Sequence, residues 1–258
     1  MSDTRDEVKR RFGPAAEKYV QSPDHSQGES LDRLIQLLLP EPGFAAWRAL
    51  DVATGGGHTA LAVARHVREV VATDLTAPML EAAERFIRSQ GVTNVRFQEA
   101  DAGALPFAAG SFDLVTCRIA PHHFPNCAAF VRESARVTRP GGLVAVIDNV
   151  VPEDPDADAF VNLFEKIRDP SHNRAHTELE WRGFFAAAGL TIEHAERYRK
   201  ARDFARWISI MSVDDATRER LRAMLLGAAG EARAALQPEG EGEALQFYLG
   251  EILLMGRR

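Results

Sequence analysis

The chain has 258 residues, 45% of them hydrophobic and 26% charged, the balance of a globular protein built around one large core. Thirty-one basic residues against 37 acidic ones give a net charge of −6, the wrong sign for a phosphate backbone, so nucleic acid is not an expected partner. The opening residues hold no apolar leader and no run approaches the ~18 apolar residues of a membrane span. Two cysteines, Cys117 and Cys127, are too few for a disulfide framework, and a cytoplasmic location is expected.

Residues 1–30 read as a charged arm with a Gly13-Pro14 break, followed by a stretch in which apolar runs alternate with helical patterns. Strands are expected at Ala49–Ala53, Val70–Asp74, Val95–Glu99, Phe112–Arg118 and Leu143–Asp148, several too apolar for a half-exposed strand and so covered on both faces. Between them, Met79, Leu80, Ala83, Phe86 and Ile87 share a helical face, with Pro78 in the first turn and Gly91 past the end. A second crossover helix, from about Asn126 to Thr138, stops at Pro140-Gly141-Gly142. Strands linked by helices in this way form a parallel sheet.

After Asp148, the stripe Phe160, Leu163, Phe164 and Ile167 marks an amphipathic helix between Pro155 and Pro170. Thr177-Glu178-Leu179-Glu180 reads as a capping box for another, with Gly189 at its end. Thr191–Arg199 is a candidate sixth strand, Asp214 to Leu236 a long helix, and Ala244–Met255 a last strand. The expectation is a doubly wound, Rossmann-like α/β fold: a mostly parallel seven-stranded sheet with a helical cap over the carboxyl ends of its strands. The arm would span 1–30, the cofactor-binding core 31–150, the cap with the sixth strand 151–240, and the last strand 241–258.

Leu50-Asp51-Val52-Ala53-Thr54-Gly55-Gly56-Gly57-His58 puts three glycines between a strand and an apolar helix from Leu61 to His66. Such a loop allows positive φ and brings backbone N–H groups close to a ligand. Asp74 ends the second strand 19 residues after Gly55, where a carboxylate can accept ribose hydroxyls or cap the next helix. Asp101, after the third strand, can accept an adenine amino group or stay solvated as a lone loop acid. Gly55-x-Gly57-x-x-Ala60 also satisfies the dinucleotide fingerprint, so a nicotinamide-dependent oxidoreductase and a non-catalytic adenosyl-ligand sensor stand as alternatives.

The order of these motifs is more specific than any one of them. Leu50–His58, Ala72-Thr-Asp-Leu-Thr-Ala-Pro-Met79, Ala100-Asp-Ala102, Leu105-Pro-Phe107, Ser111-Phe-Asp-Leu-Val115 and Arg136-Val-Thr-Arg-Pro-Gly-Gly142 together resemble the class I S-adenosylmethionine-dependent methyltransferases. The resemblance is to the ubiquinone- and menaquinone-biosynthesis group, methyltransferase type 11, and is strong over residues 10–150. It implies S-adenosyl-L-methionine as cofactor, with Asp51, Ala53 and the Gly55–Gly57 turn at the methionine end, Asp74 at the ribose, and Asp101 with Ala102 at the adenine. Leu75 would pack on the adenine ring, and Met79 and Arg118 would complete the cofactor's surroundings. Phe12–Tyr19 through His25 resembles an entry segment that folds over the cofactor, bringing Tyr19 into the set. Ala53 departs from the pattern, which has a glycine there.

Ligands of open α/β sheets bind beyond the carboxyl ends of the strands. There the fourth strand delivers Arg118 and His122-His123, the fifth delivers Asp148-Asn149, and Arg168-Asp169-Pro170-Ser171-His172 follows the first cap helix. Adjacent histidines in extended chain point oppositely and show no helical zinc-site spacing, so no metal is expected. His122, His123, His172 and Asp148 are the candidates for proton transfer to or from a small-molecule acceptor. A monomer and a homodimer are both compatible with the sequence.

Overall fold

The computed structural model describes residues 28–211 and 213–258; the arm's Phe12–Tyr19 segment, with Tyr19, lies outside the described residues. A seven-stranded sheet has the order β3-β2-β1-β4-β5-β7-β6. Its strands are β1 (Arg48–Asp51), β2 (Glu69–Asp74), β3 (Val95–Glu99), β4 (Phe112–Arg118), β5 (Thr138–Val150), β6 (Thr191–Asp203) and β7 (Gln246–Arg257). The first five pair in parallel, β7 pairs antiparallel with β5, and β6 antiparallel with β7 at the edge. Parallel neighbours demand a crossover between them, and the chain supplies a helix for most of these.

Alternation along the strands sorts the sheet's side chains into two layers. Leu114, Ala145, Leu253 and Met255 face α1 (Glu29–Leu38), α2 (His58–Ala64) and α3 (Ala77–Ser89). Val115, Val146, Ile252 and Leu254 face α4 (Cys127–Val137) and α6 (Glu178–Ala187), where Trp181 and Phe185 are wholly buried. Helix α1, which the sequence reading left inside an arm-to-core boundary, buries Leu31, Leu34 and Leu38 at i, i+3 and i+7.

A third apolar cluster lies over the carboxyl ends of the strands. It joins α5 (Pro155–Arg168) to α7 (Phe204–Ile210), α8 (Asp215–Leu226) and α9 (Gly230–Leu236), with Phe247 and Leu249 of β7 beneath. Phe164 and Trp207 stack with centroids 4.9 Å apart at its centre. Helix α6 does not belong to this cap; its apolar face packs on the sheet. Its capping box is formed, with Thr177 Oγ1 accepting from the Glu180 N–H at 3.2 Å and Glu180 Oε2 from the Thr177 N–H at 2.9 Å.

Several boundaries differ from the sequence expectation, two of them for a local reason set by glycine. The single helix over Asp214–Leu236 is two, α8 and α9, because the run Gly227-Ala228-Ala229-Gly230 holds two glycines, residues of poor helix propensity, and Gly230 sits at φ 53°. Strand β5 begins at Thr138, so Pro140-Gly141-Gly142 lies within it; Gly141 has φ 77°, and a Cβ at Gly142 would stand 2.7 Å from the Asp113 carbonyl oxygen.

Gly57 fixes how α2 meets α3. It is the N-cap of α2 at φ 83°, and a Cβ there would lie 3.0 Å from Ile87 Cδ1 and 3.1 Å from Ala83 Cβ. Gly57→Ala combines a left-handed backbone cost with a clash against two buried side chains. We expect it to lower stability by about 2–3 kcal/mol, read as a drop in urea midpoint at unchanged m-value.

Candidate functional site

A cavity of about 340 Å³ opens at the carboxyl ends of the parallel strands, beside the switch point where the chain leaves β1 on one side and β4 on the other. The β1–α2 turn forms one wall. Ala53 and Gly55 both sit at φ 52°, and a Cβ on Gly55 would meet nothing within 4 Å, so this backbone faces open space. Ala53 therefore adopts the left-handed conformation that the family pattern assigns to glycine, at a cost of roughly 1–2 kcal/mol. Its neighbours hold it there through the Val52 N–H on Thr116 O at 2.8 Å and the Thr54 N–H on Thr73 O at 2.7 Å.

Asp74 ends β2 in the same wall. Oδ2 accepts from the Gly55 N–H at 3.1 Å, while Oδ1 accepts from the Thr76 N–H and hydroxyl, each at 3.1 Å. The carboxylate thus links the glycine turn to the start of α3 and still borders the cavity. Burial raises its pKa, and the Gly55 and Thr76 hydrogen bonds oppose that rise. Leu75, Met79 and Ala102 line the space beside it, as does Asp101, whose Oδ1 accepts from the Gly103 N–H at 2.8 Å.

Two expected cofactor contacts are not in the cavity wall. Asp51 is 2% exposed, and its oxygens accept from the hydroxyls of Thr54 and Thr116, both at 2.7 Å. It supports the turn from behind; burial lifts its pKa to about 6 against those two hydrogen bonds. Gly57 serves helix packing, as described above. Both were expected from their place in the motif, which does not distinguish residues facing the ligand from residues facing the sheet.

At the other end, the structure brings His122, His123 and His172 together. The His122 ring lies 4.2 Å from that of His123 and 5.5 Å from that of His172, and all three line the cavity. The segments that carry them are tied by the N–H groups of Asn173 and Arg174, which donate to the His122 carbonyl at 2.8 and 3.0 Å. Ile119, at the start of this loop, sits at φ 52°, costly for a β-branched residue and held by its N–H on Ile147 O at 2.8 Å.

The three rings differ in environment. His122 Nδ1 is 2.6 Å from Asp148 Oδ1, and Asp148 is fully buried, so it orients the imidazole and does not itself reach the cavity. Burial opposes charge on His122, yet the charge and hydrogen bond of Asp148, helped by Glu165 and Asp169, raise its pKa above the usual value. Burial and the neighbouring His122 charge push His123 and His172 down instead. His123 Nδ1 is 3.1 Å from Ser171 O, and His172 Nε2 is 2.9 Å from Asn162 Oδ1.

Sequence reasoning missed several wall residues. Lys200 and Arg202 from β6, Glu165 from α5, and Trp207 and Ile210 from α7 all border the cavity. The alternation Glu196, Tyr198, Lys200, Arg202 was a usable signal, since every second residue of a strand shares a face. Arg118 Nε donates to Thr59 Oγ1 at 3.0 Å, and Arg118 also lines the cavity.

Known proteins agree with this architecture. A family model described as a methyltransferase domain matches residues 50–146. An uncharacterized methyltransferase of Bacillus subtilis, YcgJ, is 36% identical over 95% of this chain and 96% of its own length. Its crystal structure superposes with a TM-score of 0.84, covering 89% of this chain and 97% of that one. The chain belongs to the class I S-adenosylmethionine-dependent methyltransferases, of the UbiE-like type. The ubiquinone/menaquinone biosynthesis C-methyltransferase UbiE of Rhizobium meliloti is 32% identical over 69% of this methyltransferase and 68% of its own length. The cofactor of the enzyme is S-adenosylmethionine, and the nicotinamide and sensor alternatives are not favoured. Among the described residues no helix is long and apolar enough to cross a membrane, and no cluster of side chains could hold a metal ion.

The His122–Asp148 pair gives a pH signature. Because the folded His122 pKa lies above the unfolded value of 6.5, the pair's stabilisation is complete below that value and fades as pH rises through the folded one. We expect imidazole NMR to show His122 titrating above 6.5 in the native chain. In Asp148→Asn its pKa should fall, and the pH-dependent loss of stability should disappear with it.

Proposed function

We propose that the cavity holds S-adenosylmethionine along the β1–α2 and β2–α3 turns and a small-molecule acceptor against the histidine end. The observation that carries the reading is the direct bond between the Gly55 N–H and Asp74 at 3.1 Å, which makes turn and strand-end acid one unit facing the cavity. The residues present fit the adenosyl group. Asp74 offers lone pairs to a diol, Leu75, Met79 and Ala102 offer apolar surface to a flat ring, and Asp101 can accept from an amino group.

When bound, S-adenosylmethionine supplies a methyl group on a cationic sulfur that leaves in an in-line displacement. The protein's share of such a reaction is alignment and exclusion of water. The Ile119–His123 loop and the cap helices α5 and α7 enclose the acceptor end. His122 is the residue suited to move a proton there: its Nδ1 is fixed on Asp148, which leaves Nε2 for an acceptor that must be deprotonated. Asp148 is a positioning residue in this scheme. His123 and His172, held neutral, shape the wall and keep a second positive charge away from His122.

Two outcomes test the reading. Asp74→Ala should weaken S-adenosylmethionine binding by about 1–3 kcal/mol, a factor of roughly 5 to 150 in calorimetric Kd, with the fold retained. Unchanged affinity would remove Asp74 from the site. His122→Asn should lower turnover to S-adenosylhomocysteine, and the wild-type rate should climb with pH as His122 loses its proton. A flat pH profile with full activity in the variant would take His122 out of the chemistry.

A further inference from the structure

His172 carries a lone pair whose position follows from its partners. Its Nε2 lies 2.9 Å from Asn162 Oδ1. The backbone fixes which way the Asn162 amide points. Oδ1 accepts the Ala175 N–H at 2.7 Å, while Nδ2 donates to the Ala175 carbonyl at 3.1 Å and to Asp158 Oδ1 at 2.6 Å. A flipped amide would set two N–H groups against each other. The His172 nitrogen facing Oδ1 therefore carries the proton, and the neutral ring is the Nε2–H tautomer with a bare Nδ1. Burial, followed by the charges of His122 and His123, pushes the His172 pKa down to about 2, so the ring stays neutral and Nδ1 stays an acceptor.

Nδ1 makes no hydrogen bond among the described residues. Glu165 Oε2 stands 4.0 Å from it, beyond hydrogen-bond reach, and is itself held by Asn149 Nδ2 at 2.9 Å. His172, Glu165 and Asn149 all line the cavity, whereas Asn162 is behind the wall. An oxygen about 2.8 Å from both Nδ1 and Oε2 would see them roughly 90° apart, a span that suits one hydroxyl. Burial raises the Glu165 pKa toward the acid form, against the nearby charges of Arg168, His122 and Arg202. As an acid Glu165 donates to the hydroxyl oxygen, and the hydroxyl donates to Nδ1. An ether or a hydrocarbon in the same place leaves Nδ1 unpaired in a dry wall.

A nitrogen this weakly basic holds a hydroxyl without taking its proton. Proton transfer belongs to His122, which Asp148 orients and whose ring lies 5.5 Å from that of His172. Two neighbouring imidazoles thus offer two different services to one small molecule.

We propose that the acceptor carries a hydroxyl in addition to the group that is methylated, and that His172 Nδ1, with Glu165 beside it, receives this hydroxyl and so selects the acceptor. This rests on the methyltransferase reading and adds the acceptor's chemical class to it. The closeness of the two rings puts the hydroxyl on a neighbouring or next-neighbouring carbon of the reacting group.

The test uses the full chain, its histidines labelled for imidazole nitrogen NMR, saturated with S-adenosylhomocysteine so that the adenosyl end is filled. Free of other ligands, His172 should show its proton on Nε2. Cyclohexanol, cis-cyclohexane-1,2-diol and cis-cyclohexane-1,3-diol are then titrated. At least one diol should bind tenfold or more tightly than cyclohexanol and move the His172 Nδ1 resonance toward that of a hydrogen-bonded nitrogen. In His172→Phe, which keeps a ring in place and leaves Asn162 bonded to Ala175, that advantage should fall to within threefold. Affinities for cyclohexanol and S-adenosylhomocysteine should stay within twofold of the wild type. Should the variant not fold, the tautomer, the diol advantage and the Nδ1 shift in the wild type decide the matter. A proton on Nδ1, cyclohexanol binding as tightly as both diols, no binding by any of the three probes, an unmoved Nδ1 resonance, or a diol advantage that survives in His172→Phe would overturn the proposal. Failure of the wild type to bind S-adenosylhomocysteine would instead count against the methyltransferase reading.

Discussion

One buried carboxylate organises the switch point of the sheet. Asp51 has almost no contact with water, and its two oxygens take the hydroxyls of Thr54, in the turn after β1, and Thr116, in the adjacent strand β4. Removing a carboxylate from water is costly unless its hydrogen bonds are replaced, so this pair of bonds fixes the distance between the turn and β4. The turn carries Ala53 and Gly55 into left-handed backbone, and the Gly55 N–H then reaches Asp74 across the neighbouring strand. Three strands are thus registered at their carboxyl ends by side chains, in addition to the ladder bonds between them. The cavity inherits its shape from that registration.

Most of the sheet was legible because parallel strands covered on both faces have to be continuously apolar, and those runs stand out between helices with clear caps. Thr177 and Glu180 announced α6 by side-chain chemistry alone. Less visible was β6, whose exposed, charged, edge-strand sequence offers no apolar run, and which extends to Asp203 where Thr191–Arg199 was expected. The same feature hid Lys200 and Arg202, because a charged residue on an edge strand ordinarily faces water. Only the cap folded across the strand end gives those two side chains a cavity to line.

The motif reading singled out the glycine turn and three acids, yet it did not separate cavity-facing from sheet-facing positions. Asp51 bonds Thr54 and Thr116 behind the cavity wall, Gly57 packs against Ile87 and Ala83, and Asp148 meets His122 from the buried side. Side-chain direction at a strand end depends on twist and on the first residues of the turn, which depart from strict alternation. Ala53 illustrates the limit: its substitution for glycine is invisible in outline, and the backbone keeps the glycine conformation because the bonds on either side hold it.

Strand β7 has a consequence for how the protein is made. It follows β6 in the chain but lies between β5 and β6, so β6 has no ladder partner until residues 246–257 arrive. During synthesis the five parallel strands can assemble from contiguous units, while β6 waits as an unpaired edge with Lys200 and Arg202 in water. Docking of β7 delivers Glu251 to Lys200 and Phe247 and Leu249 to the underside of the cap in a single event. The β1–α2 turn can therefore mature on the ribosome well before the wall built by β6 and the cap exists, and the enclosed cavity is the last feature the nascent chain acquires.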